Sequence, residues 1–226
     1  MRLLLFQFLI VGFFFSCTTK KNKVGTDAVY AEYGITGDES AENVTCELKF
    51  FEGRRSSRAV LLEPPAAVLF DGIALTPDSA GRNGALYQVQ KPLAQFSGTH
   101  TIVFKNAAGK EYKESFSFQP FSLDSDIEET VPRSDLVLQI NGLQATDYLR
   151  VVLTDTSFAT PDINDIDTVK NGTLVITDKA LRNVANGPVT LHLYKEEERP
   201  LKQAPGSGGM LSITYGLSRE FELTGE

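Results

Sequence analysis

The sequence predicts an all-β protein, built as two tandem antiparallel β-sandwiches behind a cleaved signal peptide. Three observations carry that expectation. Apolar and polar residues alternate at a period of two through most of the chain, which sets one face of each strand on a core and the other in water. Past the amino-terminal apolar run, no long segment shows a helical period. The strand-like segments fall into two runs, separated by a stretch rich in acid and bounded by proline. The expected division is residues 1–16 as signal peptide, 17–27 as tether, 28–120 as first sandwich, 121–134 as acidic linker and 135–226 as second sandwich.

Leu3 to Phe15 is apolar except for Gln7 and Gly12, and Arg2 supplies a positive start. A helix of about 13 residues rises about 20 Å, short of the roughly 30 Å hydrocarbon core of a bilayer. That length suits the apolar region of a secretory signal. Phe14-Phe15-Ser16-Cys17 closes it, followed by Thr18-Thr19-Lys20-Lys21.

A small residue directly before a cysteine at the end of such a run resembles the lipobox of bacterial lipoproteins, with Phe14 where a branched aliphatic residue is usual. The resemblance implies cleavage before Cys17, diacylation of its thiol and acylation of the new amino group. Each buried methylene contributes about 0.8 kcal/mol, so two or three chains hold a protein on a membrane almost irreversibly. The implied residence is the outer membrane. Lys20 and Lys21 stand where surface-exported lipoproteins of some lineages carry acids, which favours the periplasmic leaflet.

With Cys17 lipidated, Cys46 has no internal partner, and the fold must rest on its hydrophobic core. The net charge of −7 argues against nucleic acid and against basic adhesion to anionic lipid.

In the first half, Val44, Cys46, Leu48 and Phe50 alternate with Thr45, Glu47 and Lys49, a one-face strand whose inner side includes the thiol. Ile102 and Phe104 repeat the pattern, Asn106 to Gly109 turns, and Tyr112, Phe116 and Phe118 return. Shorter candidates are Val29 to Tyr33, Ala59 to Leu62, Ala67 to Leu75 and Leu86 to Val89. In the second half the same alternation marks Leu136 to Ile140, Leu149 to Leu153, Leu174 to Ile176, Val189 to Leu193, Leu211 to Tyr215 and Phe221 to Leu223, with a helical turn expected between Asp178 and Asn186. Gly98-Thr99-His100-Thr101-Ile102-Val103-Phe104 aligns with Gly187-Pro188-Val189-Thr190-Leu191-His192-Leu193. That offset is close to the length of an immunoglobulin-like sandwich, and the chain resembles tandem immunoglobulin-like domains in architecture. It has no tryptophan and no inter-sheet cysteine pair, so the antibody type is excluded.

No nucleophile elbow, zinc-protease helix, Walker loop or dinucleotide turn occurs, no cofactor is implied, and a non-catalytic binding or scaffold role is expected. The two histidines, His100 and His192, lack neighbouring ligands at metal spacing and read as structural. Asp162, Asn164, Asp165 and Asp167 offer oxygens to a hard cation, but the glycine and distal glutamate of a calcium loop are missing, and a solvated acidic loop is the simpler reading. Arg54, Arg55 and Arg58 form a basic loop that could grip a phosphate or carboxylate, against a plain solvated turn. Pro200 to Gly209 reads as a mobile loop.

The partner expected beyond the membrane is an envelope protein or a glycan. Two rivals stand beside this reading. One is a glycan-binding surface lipoprotein, with Phe51, Tyr87 and Tyr194 as outward aromatics. The other is an enzyme whose carboxylates meet only in the fold.

Overall fold

The computed structural model describes residues 28–55, 59–78, 85–144 and 147–225; the expected signal peptide, Cys17, the expected tether and Arg58 lie outside them. The described residues form sixteen strands. The first half holds β1 (Val29–Asp38), β2 (Asn43–Glu52), β3 (Ala67–Phe70), β4 (Ile73–Ala74), β5 (Pro77–Asp78), β6 (Leu86–Pro92), β7 (Gly98–Lys105) and β8 (Glu111–Phe118). The second half holds β9 (Ser122–Leu123), β10 (Thr130–Pro132), β11 (Leu136–Asn141), β12 (Tyr148–Asp155), β13 (Ile163–Thr168) and β14 (Thr173–Ile176). A single helical turn, α1 (Asp178–Leu181), precedes β15 (Gly187–Pro200) and β16 (Gly209–Thr224). No helix among the described residues is long and apolar enough to cross a membrane.

The all-β sandwich class is the one observed. In the first half β1-β2-β6-β5 lies opposite β4-β3-β7-β8, the two-sheet strand order of an immunoglobulin-like domain. The Phe50 and Phe104 rings meet across the gap at 4.8 Å. In the second half β13-β12-β15-β16 forms one sheet and β14-β11-β9 the other, with β10 running parallel to β16. The aligned segments occupy equivalent places: β7 and β15 each open the last hairpin of their half, on glycines at φ 124° and 125°.

The halves are not separate bodies. β15 and β16 are 14 and 16 residues long, twice what one sandwich needs, and the hairpin runs on from the second sandwich into the first. There the first part of β16 pairs in parallel with β1, from Ala31 opposite Gly209 to Asp38 opposite Gly216. One nine-stranded sheet results, with a single hydrophobic cluster beneath it.

Several sequence expectations change accordingly. Residues 121–134 are not an acidic linker: they carry β9 and β10, and Phe121 and Val131 are buried. Arg133 donates to Leu181 O and to Val184 O (2.8 Å), pinning the segment to the turn around α1. Residues 200–209 are not mobile. Leu201 is buried, the Ala31 amide donates to Gly208 O (3.1 Å) and the Lys202 amide donates to Glu114 Oε2 (2.6 Å). Residues 59–62 form no strand, only a bridge from Ala59 to Phe51. Cys46 does lie on the buried face of β2, and burial pushes its thiol up to about 12, so it stays a neutral packing group.

The largest departure from simple alternation is Glu114, on the inward face of β8 between Tyr112 and Phe116 and 1% exposed. Arg199, near the tip of the long hairpin, answers it: Nη1 donates to Glu114 Oε1 (2.9 Å) and Nη2 to Ser115 O (3.2 Å). Gln203 Oε1 accepts the Lys113 amide (3.0 Å). The outer edge of β8, which would otherwise offer unpaired groups to another chain, is thus closed by side chains of the hairpin. Towards the other end of β16, Arg219 pairs with Glu39 of the first half and with Asp126.

Candidate functional site

Where the hairpin passes between the sandwiches, a cleft of about 600 Å³ opens on its inner face. That volume is within the roughly 300–1,000 Å³ of ligand pockets. Lys195 and Glu197 of β15 with Ile213 and Tyr215 of β16 make the floor; residues 117–119 and 142–144 make the walls. Strand parity explains the charged floor. Val189, Leu191 and Leu193 point into the second core, and the next inward positions, Lys195, Glu197 and Arg199, fall where that core has ended.

These charges neutralise one another. Lys195 Nζ donates to Asp147 Oδ2 at 2.7 Å, and Arg199 Nε to Glu197 Oε1 at 2.8 Å. Burial alone would raise the Asp147 carboxyl, but the Lys195 hydrogen bond, the Gln144 amide and the Lys195 charge outweigh it and hold the group below its ordinary value. Burial, with the charges of Glu39 and Asp38, pushes the Tyr215 phenol up to about 12, so it is a neutral wall. What remains for a ligand is the Gln144 amide, the amide nitrogen of Gln119, whose oxygen accepts the Ser97 hydroxyl (3.2 Å), the Ser117 hydroxyl and apolar surface, chiefly of Leu143. Amide, hydroxyl and apolar groups of this kind suit the binding of a ligand.

The residues singled out by sequence are not brought together. Arg55 donates to Glu32 (3.3 Å) and to Glu198 (3.1 Å), so its fork is already occupied by carboxylates. Arg54 is exposed beside it. Asp162 to Asp167 do not form an acidic loop: Ile163–Thr168 is an extended edge strand, β13, paired to β12. Extension sends Asp165 and Asp167 to one face and Asn164 to the other, which denies a calcium ion its wrapped shell. No group of three or more metal-capable acids, histidines and cysteines occurs among the described residues. Charge on an exposed edge instead discourages pairing with another chain.

Of the three aromatics expected outside, Tyr87 is buried, its hydroxyl accepting the Leu62 amide at 2.9 Å. Tyr194 lies on the outer face over Gly216, where a Cβ would stand 2.8 Å from its ring, so a glycine there seats the aromatic. Arg150 covers that ring at 5.4 Å. Phe51 is half-buried.

His192 faces outward beside Tyr194, as expected. His100 has a neighbour that spacing did not reveal. Asp71, in the β3–β4 turn, brings Oδ2 to 2.8 Å from Nδ1, while Phe96 O is 2.8 Å from Nε2. Both ring nitrogens have a polar neighbour and the ring stacks on Phe96 at 4.0 Å, a brace for the end of the first sandwich.

One further constellation escaped the sequence. Asp155, at the end of β12 and buried, organises the next five residues with its carboxylate. Oδ1 accepts the Ser157 amide (2.8 Å) and hydroxyl (2.6 Å); Oδ2 accepts the amides of Ala159 (2.8 Å) and Thr160 (3.1 Å). The Ser157 hydroxyl is the main cause that lowers the Asp155 carboxyl, and the three amides add to it against desolvation. A depressed folded-state value means that the stabilisation is complete above the usual carboxylate range near pH 4 and is lost as pH falls through the folded value. Amide resonances of Ser157, Ala159 and Thr160 should therefore move together as the pH drops below about 4, and this titration should vanish in Asp155→Asn. Resonances that stay in place would show that the carboxylate does not organise the loop.

No family model matches the chain, and no curated protein matches it in sequence. Solved structures show only weak similarity. One is the tetra-tandem repeat in the extending region of a large adhesion protein, at 16% identity over 88% of this chain and 50% of that one, with a TM-score of 0.29. Another is the Yersinia pseudotuberculosis adhesin InvE, at 12% identity, 89% and 60% coverage and a TM-score of 0.25. The fibronectin(III)-like modules of Clostridium thermocellum CbhA give 7% identity, 84% and 93% coverage and a TM-score of 0.25. The chain spans half to three-fifths of the length of the first two. Its class, a pair of immunoglobulin-like sandwiches, rests on its own strand order.

Proposed function

We propose that the protein is a non-catalytic cell-envelope lipoprotein, held by an acylated Cys17 at the periplasmic leaflet of the outer membrane, and that it works as a rigid two-lobed binding module. The cleft carries the binding reading. It is built by a hairpin that both lobes share, so its walls cannot drift apart, and its charges are already compensated. A site so arranged receives an envelope glycan or protein segment through amides, a hydroxyl and apolar surface, without chemistry on it. Support for the anchor comes from the lipobox-like Ser16-Cys17 and the polar composition of the tether expected over residues 17–27.

Mass spectrometry of the mature amino terminus should find an acylated Cys17, and Cys17→Ser should move the protein from the membrane to the soluble fraction. A soluble mature protein starting at another residue would sink the anchor. Leu143→Trp fills the cleft from its wall. It should cut retention of the Cys17→Ser protein on purified cell-envelope fractions at least about ten-fold, the effect of losing about 1.4 kcal/mol. Unchanged retention would remove the cleft from the reading.

A further inference from the structure

The loop that Asp155 organises is fixed at both ends. The Thr156 amide and hydroxyl donate to Pro188 O (both 3.0 Å), and the Ala185 amide donates to Thr160 Oγ1 (3.3 Å). On this base stands Phe158, at φ 55° and 82% exposed, more than any other large apolar side chain among the described residues. A bulky side chain at positive φ is an outlier, and a ring in water gains no packing to offset that strain. Ala159 and Pro161 are exposed beside it, so the tip is apolar.

Strand directions place this tip. β1 begins at the hairpin turn, where the Ser207 amide reaches Val29 O (3.3 Å), and Asp155 pairs with Val189 at the far end of β15. Val189 lies opposite Phe221, so β16 from Gly209 to Phe221 separates the two ends, a span of about 40 Å at 3.3 Å per residue. The tether therefore joins one pole of the body and Phe158 projects from the other.

We propose that the Phe158 tip is a protein-docking plug, inserted into an apolar pocket rimmed by lysine or arginine on a partner in the envelope. The chemistry around the ring selects this occupant. The hydroxyls of Thr156, Ser157 and Thr160 are already engaged with Pro188, Asp155 and Ala185, so a sugar stacked on the ring would meet polar groups that are in use. An apolar pocket asks for none, and a rigid aromatic anchor is the usual centre of a protein interface. Asp162, just before the strand that leaves the tip, and Asp165 and Asp167 on it are all exposed and ion-paired to no cation among the described residues, which gives the charge that a basic rim would meet. This inference rests on the binding reading above and names a partner class and a surface for it, at the pole away from the tether.

The test places a photoreactive benzophenone analogue of phenylalanine at position 158 of the full chain in living cells, and at exposed Val137 as control. Irradiation should give one discrete protein adduct from 158 and none from 137. Asp165→Lys with Asp167→Lys should reduce the adduct at least ten-fold. In the purified protein Phe158→Asn, suited to the left-handed backbone, should raise the thermal midpoint by about 2–4 °C. The proposal is overturned by no protein adduct, by an equal adduct from 137, by a glycan or lipid adduct, by an adduct indifferent to charge reversal, or by a lower midpoint in Phe158→Asn. The Cys17 fractionation reports on the anchor independently of each of these outcomes.

Discussion

A chain that ends at Ser134 should not fold, although it contains every strand of the first sandwich's own immunoglobulin-like order. Without β16, the edge of β1 from Ala31 to Asp38 loses its parallel partner along its length. The first core also loses Leu201, Leu211, Ile213 and Tyr215, all buried, and Phe118 and Phe121 lose the Tyr215 ring they contact at 5.8 and 5.3 Å. Burial of such side chains stabilises by about 1.5–3 kcal/mol each. Four of them together rival the roughly 5–15 kcal/mol that a whole domain possesses. Residues 28–134 should show no cooperative thermal transition, whereas 28–226 should show one. Proteolytic nicking near the exposed Asp126 should leave two pieces that migrate together until denaturant is added. A cooperative transition in 28–134 would establish that the first sandwich is independent after all.

Replacing Arg199 with alanine should be the most damaging single change at the hairpin tip. Glu114 is almost fully enclosed, and its partner's side chain is 24% exposed, so the pair is shielded from water. Removing one member of a buried pair leaves an uncompensated charge and costs about 3–5 kcal/mol. In a protein of this size that lowers the thermal midpoint by about 6–20 °C. The Ser115 carbonyl loses a donor as well. The double change Glu114→Leu with Arg199→Met removes both charges and should recover most of the loss, since a buried pair exchanged for apolar groups of similar size is often neutral. A mild Arg199→Ala, or a double variant as unstable as the single one, would show that the hairpin tip is held by packing alone. The same cycle reports on the joint: if the tip lets go, both lobes should soften in one transition.

The period-two alternation made the strands legible. Val44 to Phe50 on β2, Leu149 to Leu153 on β12 and Val189 to Leu193 on β15 all bury the face their spacing assigns. The reason is local, because a strand's pleat turns sequence parity directly into sidedness. The repeat of Gly98 and Gly187 was legible for the same kind of reason: each opens a strand at positive φ, a local demand that glycine meets.

What spacing could not reveal were the decisions made between distant segments. Glu114 sits at an inward position that parity alone would make untenable; it is tolerated because Arg199, 85 residues later, arrives there. Tyr87, an outward aromatic by sequence, is buried because the Leu62 amide accompanies its hydroxyl inside. Asp162 to Asp167 looked like a loop because acids are poor strand formers, yet pairing with β12 draws them into a strand at the sheet's edge. Asp71 came to His100, and Tyr215 to Phe118, only through the fold. The sequence by itself determined the class of structure and the buried face of each main strand. The tertiary structure alone decided that the last hairpin belongs to both sandwiches, and with it the cleft, since hydrogen bonding along a sheet edge is indifferent to sequence distance and takes whichever strand the packed core delivers.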